Sequence, residues 1–337
     1  MSAQKLDKVL REHGNEIKSG GASRGYFGRG LIDCHSIGDL TIYSVDKGDP
    51  KKCIITKLEH RSQKYDEPQC VDFNQKLRQE TGIRKHGTYI KLEIPIKSPA
   101  EYSPRADNLK KQIGSHYSLR NILWHQKGDF QGTLNLKFND EKITYHPPFG
   151  DEIYKNYKYK VMSRKGRDIY AFFDLYKSPT ELQGTSDESL NHYGILIQAK
   201  KAIHDKSFLS SKYKDHPERK KYFGHLRCDH IDELLKEYYE NDMNSGDFET
   251  DNSISLVNDE RKGIRSDHPF VKLLFEEPSK LLDPYKLYIE GLEAFKNNDY
   301  FFANKKFDEA ELNFSKPEFA AKSCLMASYS LYRINDF

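Results

Sequence analysis

From Leu40 to Cys228 the apolar residues recur mostly with period two, whereas from Tyr288 onward they recur at helical spacing. This change of period constrains the fold more than any other feature. Alternation places every second side chain on one face of a strand, and a spacing of three and four builds one face of a helix. The clearest strands are Leu40 to Val45 and Cys53 to Leu58, joined by the turn-forming run Asp46-Lys47-Gly48-Asp49-Pro50. A third, Gly87 to Pro95, alternates throughout. Further strand-like runs are Thr133 to Phe138, Lys142 to Tyr145, Lys158 to Met162, Asp168 to Tyr176, Tyr193 to Ile203 and Tyr222 to Cys228. Helical runs cover residues 3–13, Leu109 to Leu123 and Ile231 to Tyr239. The predicted class is α/β or α+β for the body of the chain and all-α for its C-terminal end.

A chain of 337 residues is expected to form two domains or slightly more. Its 22 Tyr and 19 Phe argue against wholesale disorder, because disordered chains lack large apolar groups. The longest apolar runs, Gly194 to Ile197 and Tyr170 to Phe173, are too short to span a bilayer, so no membrane partner is expected. Five scattered cysteines form no CxxC pair, and no basic-then-apolar leader opens the chain. Reduced thiols and a cytoplasmic location are therefore expected.

Residues 14–31 (GNEIKSGGASRGYFGRGL) are rich in glycine and run into the helical segment Leu31 to Ile37. Glycine lets the main chain approach a ligand closely, and successive backbone N–H groups at a helix start form an anion nest. Gly25, Gly28 and Gly30 are the residues placed against phosphate, with Arg24 and Arg29 adding charge. Taken alone, the same stretch reads better as a flexible surface loop.

The order of helix, glycine-rich lid, helix, hairpin and a strand opening with Gly87-Thr88 resembles the later half of the GHKL ATP-binding fold. That family includes DNA gyrase B subunits, MutL, histidine kinases, heat-shock chaperone ATPases and MORC proteins. Arg24-Gly25-Tyr26-Phe27-Gly28-Arg29-Gly30-Leu31 looks like its GxxGxGL lid box, which implies that Gly25 to Leu31 wrap ATP. Gly87-Thr88 looks like its last motif, which implies that Thr88 helps hold the adenine end. Met1-Ser2-Ala3 with Leu6 resembles the stretch directly after the acidic DxGxGM box, with Met1 as its methionine. A helix starting directly after Met1 has no polar lead-in, so initiation inside a domain is expected. The family's water-activating glutamate, magnesium-binding asparagine and adenine-reading aspartate precede that methionine and have no counterparts here. The resemblance therefore implies ATP and Mg as cofactors of the complete protein, with this chain binding nucleotide weakly and not hydrolysing it.

Beyond a Pro- and Ser-containing linker at 98–110, residues 111–257 read as the transducer domain that comes next in such proteins. Its basic residue would sense the γ-phosphate. Lys200 and Lys201, at the end of the run from Gly194, are the candidates; taken alone, they read more readily as two solvated lysines. Residues 200–227 hold nine Lys or Arg against three Asp or Glu, whereas residues 232–260 hold ten Asp or Glu and one Lys. The basic block, interleaved with Tyr213, Tyr222 and Phe223, would suit nucleic-acid phosphate, unless the acidic neighbour neutralises it. His225, Cys228 and His230 fall on opposite strand faces and have no further ligands at zinc spacing, so no metal site is expected. No serine or cysteine stands in a nucleophile motif, which argues against hydrolase chemistry of that kind.

Residues 258–283 read as connecting helices, interrupted near Pro269, after a polar loop at 241–257. In 284–337 the spacing Gly291, Tyr300, Ala303, Phe307, Ala310 resembles one tetratricopeptide repeat turning at Asn298-Asp299. A second begins near Glu318. An incidental helical hairpin is the other reading of this stretch. The whole chain is thus expected to be residues 1–97 of lid half-domain, a transducer and truncated repeats. It would act as an ATP-dependent clamp that forms a homodimer when complete and docks a protein partner through the repeats. The alternative is a non-catalytic interaction scaffold in which the repeats carry the function.

Overall fold

The computed structural model describes residue 6 and residues 38–59, 66–93, 105–123, 136–200, 202–210, 213, 218–244, 254–257 and 263–335. Their α and β content is mixed, with helices alone at the C-terminal end. The chain divides into two units, residues 1–106 with 239–247 and residues 107–238 with 248–337. No helix among the described residues is long and apolar enough to cross a membrane.

In the first unit, β1 (Asp39–Val45) and β2 (Lys52–Leu58) pair antiparallel across the predicted turn. Asp46 Oδ1 accepts the Gly48 N–H at 2.8 Å there, which fixes the bend. Strand β3 (Gln69–Asp72) adds to β2 and β4 (Gly87–Glu93) adds to β1, giving the order β3-β2-β1-β4. Between them lies α1 (Gln75–Thr81), started by Asn74, whose side chain accepts the Leu77 N–H, and ended by Gly82 at φ 67°. These two caps are the local signals for an element that apolar period alone does not reveal. One sheet face buries Leu40, Ile42, Ile54 and Leu58 with Leu6. The other buries Tyr43, Val45 and Cys53 with Phe73 and Ile83.

In the second unit, α2 (Ala106–Ser115) begins inside the expected linker. The helix expected to run on to Leu123 breaks at His116, whose Nδ1 accepts the Ser118 N–H at 3.3 Å. A single 3-10 turn (Tyr117–Leu119) and α3 (Arg120–Leu123) follow. The short pair β5 (Lys137–Phe138) and β6 (Glu141–Lys142) stands apart from the main sheet. That sheet comprises β7 (Asp151–Arg164), β8 (Arg167–Lys177), β9 (Gly194–Ala199), β10 (Ala202–Ser207) and β11 (Tyr222–Arg227), in the order β10-β9-β11-β8-β7. Only the β9–β11 pair is parallel, and β9 is almost wholly buried. The single strand expected from Tyr193 to Ile203 is thus a hairpin that folds back after Ala199. Both arms alternate, and the lysines at the bend lack the glycine or asparagine that marks most tight turns.

After α4 (His230–Asn244), the interrupted connection expected around Pro269 is instead one helix, α5 (Pro269–Lys296). Pro269 occupies its first turn, where a missing N–H costs nothing, and His268 Nδ1 accepts the Phe270 N–H. Pro278 lies inside the helix and cannot donate to the Leu274 carbonyl one turn earlier. Tyr159 of β7 takes that place, donating its hydroxyl to Leu274 O at 2.5 Å. A side chain of the sheet thereby satisfies the acceptor that proline orphans, and the helix continues. Helices α6 (Tyr300–Asn313) and α7 (Pro317–Asn335) complete the hairpins; Asp299 caps α6 through the Phe302 N–H. Phe307, fully buried, lies against Gly291, where a Cβ would come within 2.7 Å of the ring. These helices share the unit with the sheet: Tyr157 donates to Glu277 Oε1 at 2.9 Å, and the Tyr154 hydroxyl lies 2.6 Å from Ser315 Oγ.

Candidate functional site

The residue expected at the adenine end of a nucleotide, Thr88, is the second residue of β4. Gly87 opens the strand at φ 149°, a conformation that disfavours any side chain. Register pairs Thr88 with Ser44 of β1, and their hydroxyl oxygens stand 3.5 Å apart. Ser44 is buried whereas Thr88 is exposed, so the pair presents the Thr88 hydroxyl at the sheet surface. Period two then assigns Leu40, Ile42, Ser44, Thr88, Ile90 and Leu92 to a single face.

That face is uneven. Over β1 and β2 it is covered, and Leu6, only 2% exposed, from the amphipathic segment expected at 3–13, packs there in one cluster with Leu40, Ile42, Ile54 and Leu58. Along the edge strand β4 it is open: Thr88 is exposed and Ile90 is 47% exposed. Thr56, on the same face of β2, spends its hydroxyl on Asp66 O at 2.6 Å. Ser44 as the partner of Thr88 has no motif of its own; only strand register reveals it. On the opposite face Tyr43 donates to Glu80 Oε1 at 3.1 Å, and burial together with that carboxylate raises its pKa.

The lid residues Gly25, Tyr26, Phe27, Gly28, Arg29, Gly30 and Leu31 lie outside the described residues, and so does Lys201. Lys200 belongs to the second unit, at the bend between β9 and β10, with its side chain exposed. Its backbone N–H donates to Asp229 Oδ1 at 3.0 Å, which ties the bend to the end of the neighbouring strand β11.

The basic block does not form a free cationic surface among the described residues. Lys206 is half-buried, lies over the Tyr193 ring and donates to the carbonyls of Glu188 and Asn191. Burial, reinforced by the nearby Arg120, lowers its pKa to about 8. Lys220 pairs with Glu181, Lys221 with Glu218 and Arg227 with Asp174. Tyr213 and Tyr222 are core residues, Tyr213 donating to Ser279 O at 2.8 Å. Two carboxylates of the acidic block turn elsewhere: Glu237 binds Arg164 and Lys165, and Glu233 lies 3.5 Å from Arg167; a third, Asp232, lies 3.2 Å from His204 Nε2. Lys221 is thus neutralised within its own block, and Lys220 and Arg227 by carboxylates on or just beyond β8.

Strand β11 stops at Arg227, so Cys228 lies beyond it and His230 opens α4, with Nδ1 2.9 Å from Glu233. Burial lowers the His225 pKa to about 4. Among the described residues no group of three or more His, Cys, Asp or Glu side chains is placed to hold a metal ion.

Motif reading also misses Arg120. Its guanidinium is buried, donates to Ser115 O at 2.9 Å and Asn191 O at 2.5 Å, and lies over the Tyr145 ring. No carboxylate takes part in these bonds; carbonyls satisfy the fork, so the residue fastens α3 to the segment before β9. No family model matches this chain, and no curated protein does so either.

Proposed function

We propose that the first unit is the lid-side part of a GHKL-type ATP-binding fold and that the chain is a nucleotide-dependent switch. One placement supports this reading: Thr88, with Ser44 beside it, lies on the open edge strand of the sheet face on which Leu6 packs. The resemblance puts Leu6 just after the family's acidic box and Thr88 in its last motif. Folding brings both to one face. The Thr88 hydroxyl would hold the adenine end, and the lid glycines Gly25, Gly28 and Gly30 would cradle the phosphates. Lys200 and Lys201 remain the proposed γ-phosphate sensors, and homodimer closure the proposed output. Mg would accompany ATP in the complete protein. No metal step is assigned to the residues described, and no hydrolysis, because no residue of this chain matches the family's glutamate.

Titration of the full chain with a fluorescent ATP analogue tests the reading. Saturable binding is expected, weakened roughly three- to tenfold by Thr88→Val, as loss of one hydrogen bond would do. The double variant Gly28→Val with Gly30→Val is expected to lose it. No saturable binding, or equal binding by all three proteins, overturns the proposal.

A second reading, the interaction scaffold, is favoured by the apolar side chains that α6 and α7 leave in solvent. Phe301, Leu312 and Leu325 are 78%, 86% and 69% exposed. ATP-dependent dimerisation in sedimentation supports the switch. Partner capture that survives loss of the lid glycines, without such dimerisation, supports the scaffold.

A further inference from the structure

Helix α7 has two faces that lack charge. Its inner face is small: Ser323, Ala327 and Ser330, spaced by four and three residues, are buried. The Ser323 hydroxyl donates to Phe307 O at 2.8 Å, so the backbone of α7 lies close against α6. The opposite face is exposed. It carries Ala321, Leu325, Ser328 and Tyr332 in one stripe, flanked by Cys324, Tyr329 and Leu331. Leu325, Tyr329 and Tyr332 are 69%, 50% and 60% exposed. No Asp, Glu, Lys, Arg or His occurs from Ser323 to Tyr332. An outer helix face in water normally carries charge, as Lys305 and Asp308 do on the exposed side of α6.

Side-chain size alternates along the stripe: Ala321 small, Leu325 large, Ser328 small, Tyr332 large. A second copy of the helix laid antiparallel presents the same stripe in reversed order, large, small, large, small. With a two-fold axis between positions 326 and 327, Leu325 of each copy faces Ser328 of the other, and Tyr332 faces Ala321. Each large side chain then enters the gap over a small one, as ridges enter grooves. A parallel copy in register would set large against large. This reversal symmetry is what an isologous pair requires and what a foreign partner does not. Charge permits the same arrangement. Lys322 borders the stripe, and the two copies of it would lie about 14 Å apart along the helix axis, beyond the screening length of about 8 Å.

We propose that α7 pairs antiparallel with α7 of a second copy of this chain, through the stripe of Ala321, Leu325, Ser328 and Tyr332. The contact runs for about three turns, or about 18 Å of helix. That is small for a specific interface, so the dimer is weak and depends on concentration. It needs no nucleotide and does not rest on the proposed ATP switch.

Sedimentation equilibrium of the full 337-residue chain without nucleotide tests this. A monomer–dimer equilibrium with a Kd on the order of 10 μM is expected. Leu325→Glu is expected to raise that Kd at least about tenfold, because two carboxylates would meet beside the axis. Leu325 is exposed, so the variant keeps its fold and its circular dichroism. Cross-linking tests the register. In a Cys324→Ser background, Ser328→Cys sets two thiols about 4.5 Å apart along the axis and is expected to form a disulfide-linked dimer on mild oxidation. Ala321→Cys, about 17 Å from its mate along the axis, is expected not to. Three results overturn the proposal: a monomer at about 200 μM, which would leave the stripe to a different protein, a Kd unchanged by Leu325→Glu, or equal cross-linking of the two cysteine variants.

Discussion

Asp205 offers the sharpest physical test of the second unit. On β10 its carboxylate accepts the Lys206 N–H at 2.6 Å and the Ile264 N–H at 3.0 Å. It therefore pins the segment that leads into α5. Gly263, at φ 124°, lets that segment come so close that a Cβ there would lie 2.6 Å from an Asp205 oxygen. Burial raises the Asp205 pKa to about 6 from the ordinary 3.8, against the opposing pull of the two amide bonds and of Lys206 and His204. The folded protein consequently keeps this proton to higher pH than the unfolded chain does. Its stabilising contribution is full below about pH 4 and is lost as pH rises through about 6. At about 1.4 kcal/mol per pH decade, the interval between those two values corresponds to about 3 kcal/mol. Asp205→Asn cannot ionise. Urea unfolding of both proteins at about pH 4.5 and about pH 7.5 cancels every other titrating group, and the wild type should lose about 2 kcal/mol relative to the variant between them. A difference below about 0.5 kcal/mol, or one of opposite sign, refutes the argument that burial dominates this carboxylate.

Phe307→Ala should cost about 3–5 kcal/mol in thermal or urea unfolding, because this ring of α6 is fully buried in a cluster with residues of α5 and α7. Gly291→Ala gains about 1 kcal/mol of helix propensity, yet overlap with the Phe307 ring costs about 1–3 kcal/mol. The expected net loss reaches about 2 kcal/mol, and stabilisation would mean that the ring yields. Arg120→Ala should cost about 3–5 kcal/mol, since several buried carbonyls lose their donor at once; a midpoint close to wild type would show that water replaces the guanidinium. Glu218→Gln should shift the unfolding midpoint little, because both of its lysine partners are a quarter to a third exposed.

Legibility in the sequence tracks the range of the interaction. The 46–50 turn, the strand opening at Gly87 and the Asp299 cap depend on residues a few positions apart, and each stands where the local pattern puts it. Strand β3 and helix α1 are not legible because four and seven residues are too short for a period to declare itself. The hairpin at Lys200 is hidden because period two does not distinguish one long strand from two that fold back. The continuous α5 is hidden because a proline rule is local, whereas the hydroxyl that rescues Pro278 comes from Tyr159, far away in the chain.

The candidate sites divide in the same way. Local glycine content carries the lid glycines and apolar period carries the mixed class of the fold, whereas Thr88 is a candidate only through the resemblance of its motif. That Ser44 lies beside Thr88 and Leu6 packs on their face comes from strand register and packing. So do the partners of Lys220 and Arg227 and the uncovered stripe of α7. Composition counts charges and rings, but electrostatic and packing energies fall off within a few ångströms. Which of them meet is settled only when strands and helices distant in sequence are laid side by side.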